Sequence, residues 1–205
     1  MIAICTGDVV NSSQVASTIW LPQLKEVLSR YGSQPIDWEV YRGDSFQFKV
    51  PVETALEATF LIKATLKKHK GLDVRVSIGL GGITYQGSSI TESNGTAFQR
   101  SGRGFDALKK ETIKIVSPFE QFDAVINLIL EVSQLTFDAW SPNSAALVAT
   151  ALKHPELNQM AIAKILHKKS QGTVSEGLQR AGYEQLQKIL YYYSTEITTL
   201  CSPFL

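Results

Sequence analysis

Two aspartates raise the first chemical possibility. Asp8, with Gly7, closes the apolar run Ile2-Ala3-Ile4-Cys5, and Asp44 ends Arg42-Gly43-Asp44, a short break between two alternating segments. If those segments are neighbours in a sheet, two carboxylates meet at one edge and repel unless a cation lies between them. Mg2+ (or Mn2+) suits that place, because a hard cation takes one or two carboxylates together with substrate phosphates. The plainer alternative is that each Asp serves its own turn, since Gly-Asp is ordinary turn chemistry. Asn11, Ser12 and Ser13 precede a predicted helix, where they either cap it or leave its free N–H groups open to phosphate. Gly79-Leu80-Gly81-Gly82 is no P-loop, because GK[ST] is missing; close packing at a strand end explains it better.

The elements that must position these residues alternate in period. Ile2–Cys5 reads as a buried strand, and Val15, Ile19, Leu24, Val27, Leu28 and Tyr31 as a helix ending near Gly32, with Pro22 starting its second half or kinking it. Ile36–Tyr41 and Ser45–Val50 alternate with period two and form a hairpin across Arg42-Gly43-Asp44. A second helix runs from Ala55 to Leu66, and Val74–Gly81 alternates again. The order β-α-β-β-α-β is the split βαβ, or ferredoxin-like, arrangement, in which the first and third strands are central neighbours. A helix around residues 96–108, a strand Ile113–Val116 and a helix around residues 120–136 follow. The expected architecture is α+β: an antiparallel sheet with helices packed on one face.

At this level the residues bring a family into view. Gly7-Asp8-Val9-Val10-Asn11-Ser12, Arg42-Gly43-Asp44-Ser45-Phe46-Gln47, Arg75–Gly81 and Ser101-Gly102-Arg103-Gly104-Phe105-Asp106 together resemble the SatD family of bacterial proteins over nearly the whole chain. Residues 1–117 also resemble the palm domain of class III nucleotidyl cyclases and GGDEF proteins. In that superfamily one metal-binding Asp ends the first strand and a second follows a Gly in the β2–β3 hairpin; Asp8 and Asp44 match those positions. Cyclases also place a Gly, an Asn and an Arg at four-residue intervals on a helix facing the nucleotide. Gly95, Gln99 and Arg103 keep that spacing, which implies a triphosphate-facing role for Gln99 and Arg103. The competing reading is a Gly-rich loop carrying an exposed Arg. The base-reading Lys of cyclases corresponds to Val40, and the GGDEF signature is absent. Retained metal positions with an altered base-reading side imply purine-nucleotide binding, or an unfamiliar substrate, more than a standard cyclase.

Beyond Trp140-Ser141-Pro142 the pattern is helical, so the chain divides into residues 1–140 and 141–205. Gln159, Ile162, Ala163 and Leu166, then Ser170, Gln171, Val174, Ser175 and Leu178, resemble the helix-turn-helix of many bacterial regulators. The fold class is therefore a ferredoxin-like palm followed by a small all-α helix-turn-helix domain. Ser170 is a natural N-cap. Gln171, Ser175, Gln179 and Arg180 lie on the predicted outer side, where Gln and Arg suit base edges, while Lys168 and Lys169 suit phosphate. His167 stands where Gly is commonest, and Glu176 puts a negative charge on the same face, so a protein-docking bundle is the competing reading.

Composition narrows the remainder. Hydrophobic residues make up 44% and charged residues 19%, which excludes disorder and coiled-coil composition. Residues 1–140 hold 14 Lys/Arg and 15 Asp/Glu; residues 141–205 hold 6 and 4, a modest basic excess. No apolar stretch approaches the roughly 20 residues that span a bilayer, and the N-terminus lacks a signal peptide's basic region. A cytoplasmic chain with no membrane partner is expected. Cys5 and Cys201 read more simply as reduced thiols than as a disulfide, and the three histidines show no zinc spacing. The preferred reading is a DNA-binding regulator whose palm senses a purine nucleotide with Mg2+. The alternatives are a divalent-metal-dependent nucleotidyl transferase or cyclase and a non-catalytic docking module. Class III cyclases commonly complete their site across a dimer, so either of the first two readings admits a homodimer.

Overall fold

The computed structural model describes residues 1–202 of the 205; the last three residues of the expected second domain lie outside the described residues. Five strands, β1 (Ile2–Val10), β2 (Trp38–Tyr41), β3 (Ser45–Val50), β4 (Asp73–Gly81) and β5 (Ile113–Val116), form one sheet in the order β2-β3-β1-β4-β5. β1 lies between β3 and β4 and is antiparallel to both, which bears out the expected pairing of first and third strands. β5 runs parallel to β4, so the sheet is mixed and not purely antiparallel. The cause is the crossover through α3 (Thr96–Asp106), which brings the chain back to the end of β4 where that strand began.

β1 is longer than its apolar run suggests, and Asp8 lies inside it. Gly7 does not stop the strand. A Cβ there would come within 2.7 Å of both the Arg75 carbonyl oxygen and the Phe46 ring, so Gly7 marks a close approach of neighbouring strands. The helix expected from Val15 starts later. Asn11 is left-handed (φ 58°), Ser12–Gln14 make one 3-10 turn, and Val15 is extended; α1 then spans Ser17–Leu28 with Pro22 inside it.

Helices cover both faces of the sheet, contrary to the one-faced packing expected. On one face α1 and α2 (Ala55–Lys67) bury Trp20, Leu24, Leu28, Leu56 and Phe60 in the core that also holds Ala3, Cys5, Phe46, Phe48, Val76 and Ile78. On the other lies α3, which meets the sheet through Ala97, Ser101 and Gly104. Such small residues form no apolar stripe for periodicity to reveal. A Cβ on Gly79 would reach within 2.2 Å of the Ser101 amide nitrogen, so glycine in β4 lets α3 sit this close. The Thr6 and Ser101 hydroxyls share a buried hydrogen bond at 3.0 Å across this contact.

α4 (Glu120–Phe137) follows β5 and seals its outer edge: Asn127 accepts the Ile115 N–H and donates to the Ile115 carbonyl, both at 2.8 Å. Four more helices follow: α5 (Pro142–Lys153), α6 (Gln159–Ile165), α7 (Gln171–Arg180) and α8 (Tyr183–Cys201). The expected division at 140/141 falls between α4 and α5, and one apolar cluster runs across it. α2 is buried on nearly every side. Trp140 packs its ring on Phe137 (5.3 Å between centroids) and donates its indole N–H to the Ala181 carbonyl at 2.8 Å. Tyr193 of α8 donates its hydroxyl to the Val52 carbonyl at 2.7 Å. Beneath this junction the buried Lys63 ammonium lies 2.7 Å from Asp73 and 2.6 Å from Asp138, while Lys67 pairs with the other Asp73 oxygen at 2.8 Å. Cys5 and Cys201 are free and buried, and burial pushes both thiols up in pKa. Among the described residues no helix is long and apolar enough to cross a membrane.

Candidate functional site

Asp8 and Asp44 reach the same end of the sheet by different routes. Asp8 sits opposite Ser45 of β3 on one side and Arg75 of β4 on the other. Asp44 is the last residue of the hairpin loop, in which Arg42 (φ 53°) and Gly43 (φ 90°) are left-handed. The Val9 N–H donates to the Asp44 carbonyl at 3.1 Å, so the two aspartates occupy consecutive steps of the β1–β3 ladder. Their backbones are neighbours, as the topology predicts.

Each carboxylate, however, has a partner from the chain. Arg75 grips Asp8 with two bonds, Nε to Oδ1 at 3.1 Å and Nη2 to Oδ2 at 2.5 Å. The Asp8 carboxylate accepting those bonds holds the guanidinium pKa above its ordinary value. The same guanidinium lies over the Phe105 ring, 5.6 Å from its centroid, so the C-terminal end of α3 braces it. Asp44 Oδ2 accepts the Ser12 hydroxyl at 2.6 Å. Neither Arg75 nor Phe105 stands out in the sequence as a site residue, although Arg75 interrupts the apolar sequence Val74-Arg75-Val76 with a charge on the face away from the main core. That alternation was the available signal; its partner depends on register.

The remaining predicted nucleotide residues are placed as follows. The Asn11 side-chain amide donates to the Gly71 carbonyl at 2.9 Å and caps no helix. The helix whose N-terminus would receive a phosphate beside Ser12 is a single 3-10 turn, the first α-helix starting only at Ser17. Gln99 and Arg103 share one exposed face of α3, which continues through Gly102 and Gly104. No hydrogen bond or ion pair joins either to Asp8 or Asp44 among the described residues. A hard cation would find oxygen donors of the right chemistry in Asp8 and Asp44, but not a third acidic group: the described residues hold no cluster of three metal-ligating His, Cys, Asp or Glu. It would have to bring its own phosphate or water oxygens and release Asp8 from Arg75.

The second candidate region is the α6–α7 pair. Asn158 accepts the Ala161 N–H at 3.0 Å, and Ser170, the N-cap expected from the sequence, accepts the Thr173 N–H at 3.3 Å, so both helices are capped. The chain turns between them at His167, left-handed at φ 51°. Ile162, Ala163, Val174, Gly177 and Leu178 are buried, and a Cβ on Gly177 would reach within 2.3 Å of Leu147 in α5. Lys169, Gln171, Gln179 and Arg180 are exposed, with Glu176 among them. Ser175 and Lys168 are half-buried; Lys168 is tied back by donating to Asn143 Oδ1 at 2.5 Å. Gln171 donates to Gln159 at 2.7 Å, linking the N-termini of the two helices. A cleft of about 720 Å3 borders Ser175 and Gln179 together with His154, Gln159, Tyr183 and Glu184. No protein-family model, curated protein or solved structure matches the chain.

Proposed function

We propose that this chain is a nucleotide-responsive DNA-binding regulator, with a ferredoxin-like, cyclase-related palm over residues 1–140 and a helix-turn-helix over residues 141–205. The observation that carries the DNA half is the two-sidedness of α7. Val174, Gly177 and Leu178 fix it to the bundle, while Gln179 and Arg180 remain in solvent to meet base edges, and Gln171, also exposed, would first give up its bond to Gln159. Lys169, exposed beside the capped N-terminus of α7, would contact a phosphate. Ser175 and the tethered Lys168 play the lesser parts.

The sensing half rests on the resemblance to the SatD family and to cyclase palms, supported by the backbone adjacency of Asp8 and Asp44. Those carboxylates would hold Mg2+ (or Mn2+), which supplies charge neutralisation for a purine nucleotide's phosphates. Asn11, Ser12, Gln99 and Arg103 are the candidates to contact that nucleotide.

Fluorescence anisotropy with duplex DNA tests the proposal. Binding should weaken steeply with salt; Lys169→Ala should reduce the salt slope by about one, and Arg180→Ala should cost about 1–3 kcal/mol and relax the sequence preference. ATP or GTP with Mg2+ should change the affinity. A chain that binds no DNA at low salt, or whose affinity ignores both substitutions, rejects the DNA-binding role. Pyrophosphate release abolished by Asp44→Asn would establish the transferase instead.

A further inference from the structure

α4 carries two apolar stripes where a surface helix needs one. Phe122, Ile126, Leu130 and Phe137 are buried against the body of the protein. On another side Val125, Leu128, Val132 and Leu135 stand in solvent, exposed by 45%, 60%, 66% and 84%. Their spacing of three, four and three residues is that of a heptad seam, with Val and Leu alternating. The other exposed large apolar residues among those described are scattered, with at most two, Met160 and Ile165 of α6, on any one element. A contiguous apolar stripe of this kind marks an interface.

We propose that α4 pairs antiparallel with α4 of a second copy of this chain, about a two-fold axis passing beside residue 130. The stripe is self-complementary about that point. Val125 meets the other copy's Leu135, and Leu128 meets its Val132, so every layer joins one Val to one Leu at equal volume, as an isologous interface requires. The charges select the direction. α4 contains no Lys or Arg, and acidic Glu120 lies in its first turn. Lys109 and Lys110 flank its other half, where Gln134 donates to the Lys110 carbonyl at 2.7 Å. Together with Glu111, Glu131, Leu128, Val132 and Leu135 they border a groove of about 610 Å3. An antiparallel pair opposes the helix dipoles and keeps one copy's Lys109 and Lys110 apart from the other's, whereas a parallel pair aligns the dipoles and sets lysine against lysine. This pairing is independent of the metal and DNA roles proposed above.

Sedimentation of the full chain tests it. The wild-type protein should be a dimer at micromolar concentration, and Leu128→Glu with Val132→Glu should weaken dimerisation by ~100-fold or more, since each change buries an unpaired carboxylate. The far-UV spectrum should not change, both positions being exposed. Independently, Leu128→Cys and Val132→Cys proteins mixed in equal amounts should oxidise to the 128–132 cross-link faster than either forms a disulfide with itself; the native thiols are buried and stay silent. A monomeric wild type, a dimer indifferent to the double substitution, or a dominant 128–128 disulfide would each overturn the proposal.

Discussion

Removing the Arg75 side chain should make the acidic end of the sheet a better cation site. In the folded chain the guanidinium holds Asp8 through two hydrogen bonds and rests on Phe105. A metal ion that uses Asp8 must first displace it. The Arg75 side chain is 39% exposed and that of Asp8 22%, so solvent screening keeps the pair near the upper end of a surface ion pair, about 1 kcal/mol despite its bidentate geometry. The ring contact adds ~0.5–1 kcal/mol at such a site. Together about 1–2 kcal/mol opposes metal entry, so Arg75→Ala should tighten Mn2+ binding by about 5–30-fold. Titration calorimetry, or the paramagnetic signal of free Mn2+, measures this directly. Arg75→Lys should give a smaller gain, since an ammonium cannot grip both oxygens. Asp44→Asn in the Arg75→Ala background should remove most of the gain. Unchanged or weaker Mn2+ binding in Arg75→Ala would refute the idea that the guanidinium occupies the cation's place.

Three further outcomes follow from the packing. Lys63→Met should destabilise the fold by about 1.5–3 kcal/mol in urea unfolding, because it removes the ammonium from Asp138, which keeps the Thr112 hydroxyl, while Asp73 keeps Lys67. Asn127→Ala should cost about 1–2 kcal/mol and speed hydrogen exchange at the Ile115 amide, whose side-chain acceptor it removes. His69 has its pKa lowered from 6.5, chiefly by burial and then by Lys68. The unfolded chain therefore binds this proton more readily than the folded one, and stability should fall as the pH drops through about 6.5 and level off below the folded value. The urea midpoint followed against pH should lose that component in His69→Asn.

The sequence was informative where a single contact rule operates. β3 and β5 begin and end as their alternation indicates, because each has one face in the main core, and the hairpin at Arg42-Gly43-Asp44 is visible from its turn residues. Element order and the adjacency of Asp8 to Asp44 follow from topology alone. What escaped was set by close approach and register. Gly7 reads as a stop but lies inside β1, where only an absent side chain lets the strands meet. α3 lies on the second face through Ala97, Ser101 and Gly104, residues with no apolar signal. The Arg75 grip on Asp8 joins residues 67 positions apart, and only strand pairing brings them together.

The apolar cluster that crosses from α4 into α5 and α8 also limits how any message could pass between the two halves. With Trp140 bonded to Ala181 and Tyr193 bonded to Val52, the last four helices are pinned to the rest of the fold at two buried points. A ligand of the kind proposed for the sheet edge would then act as a hand on a stiff frame, with only small tilts of α7 open to it. Such small angular changes reach a target reader most effectively when two frames are clasped together, because the separation of their tips magnifies every tilt.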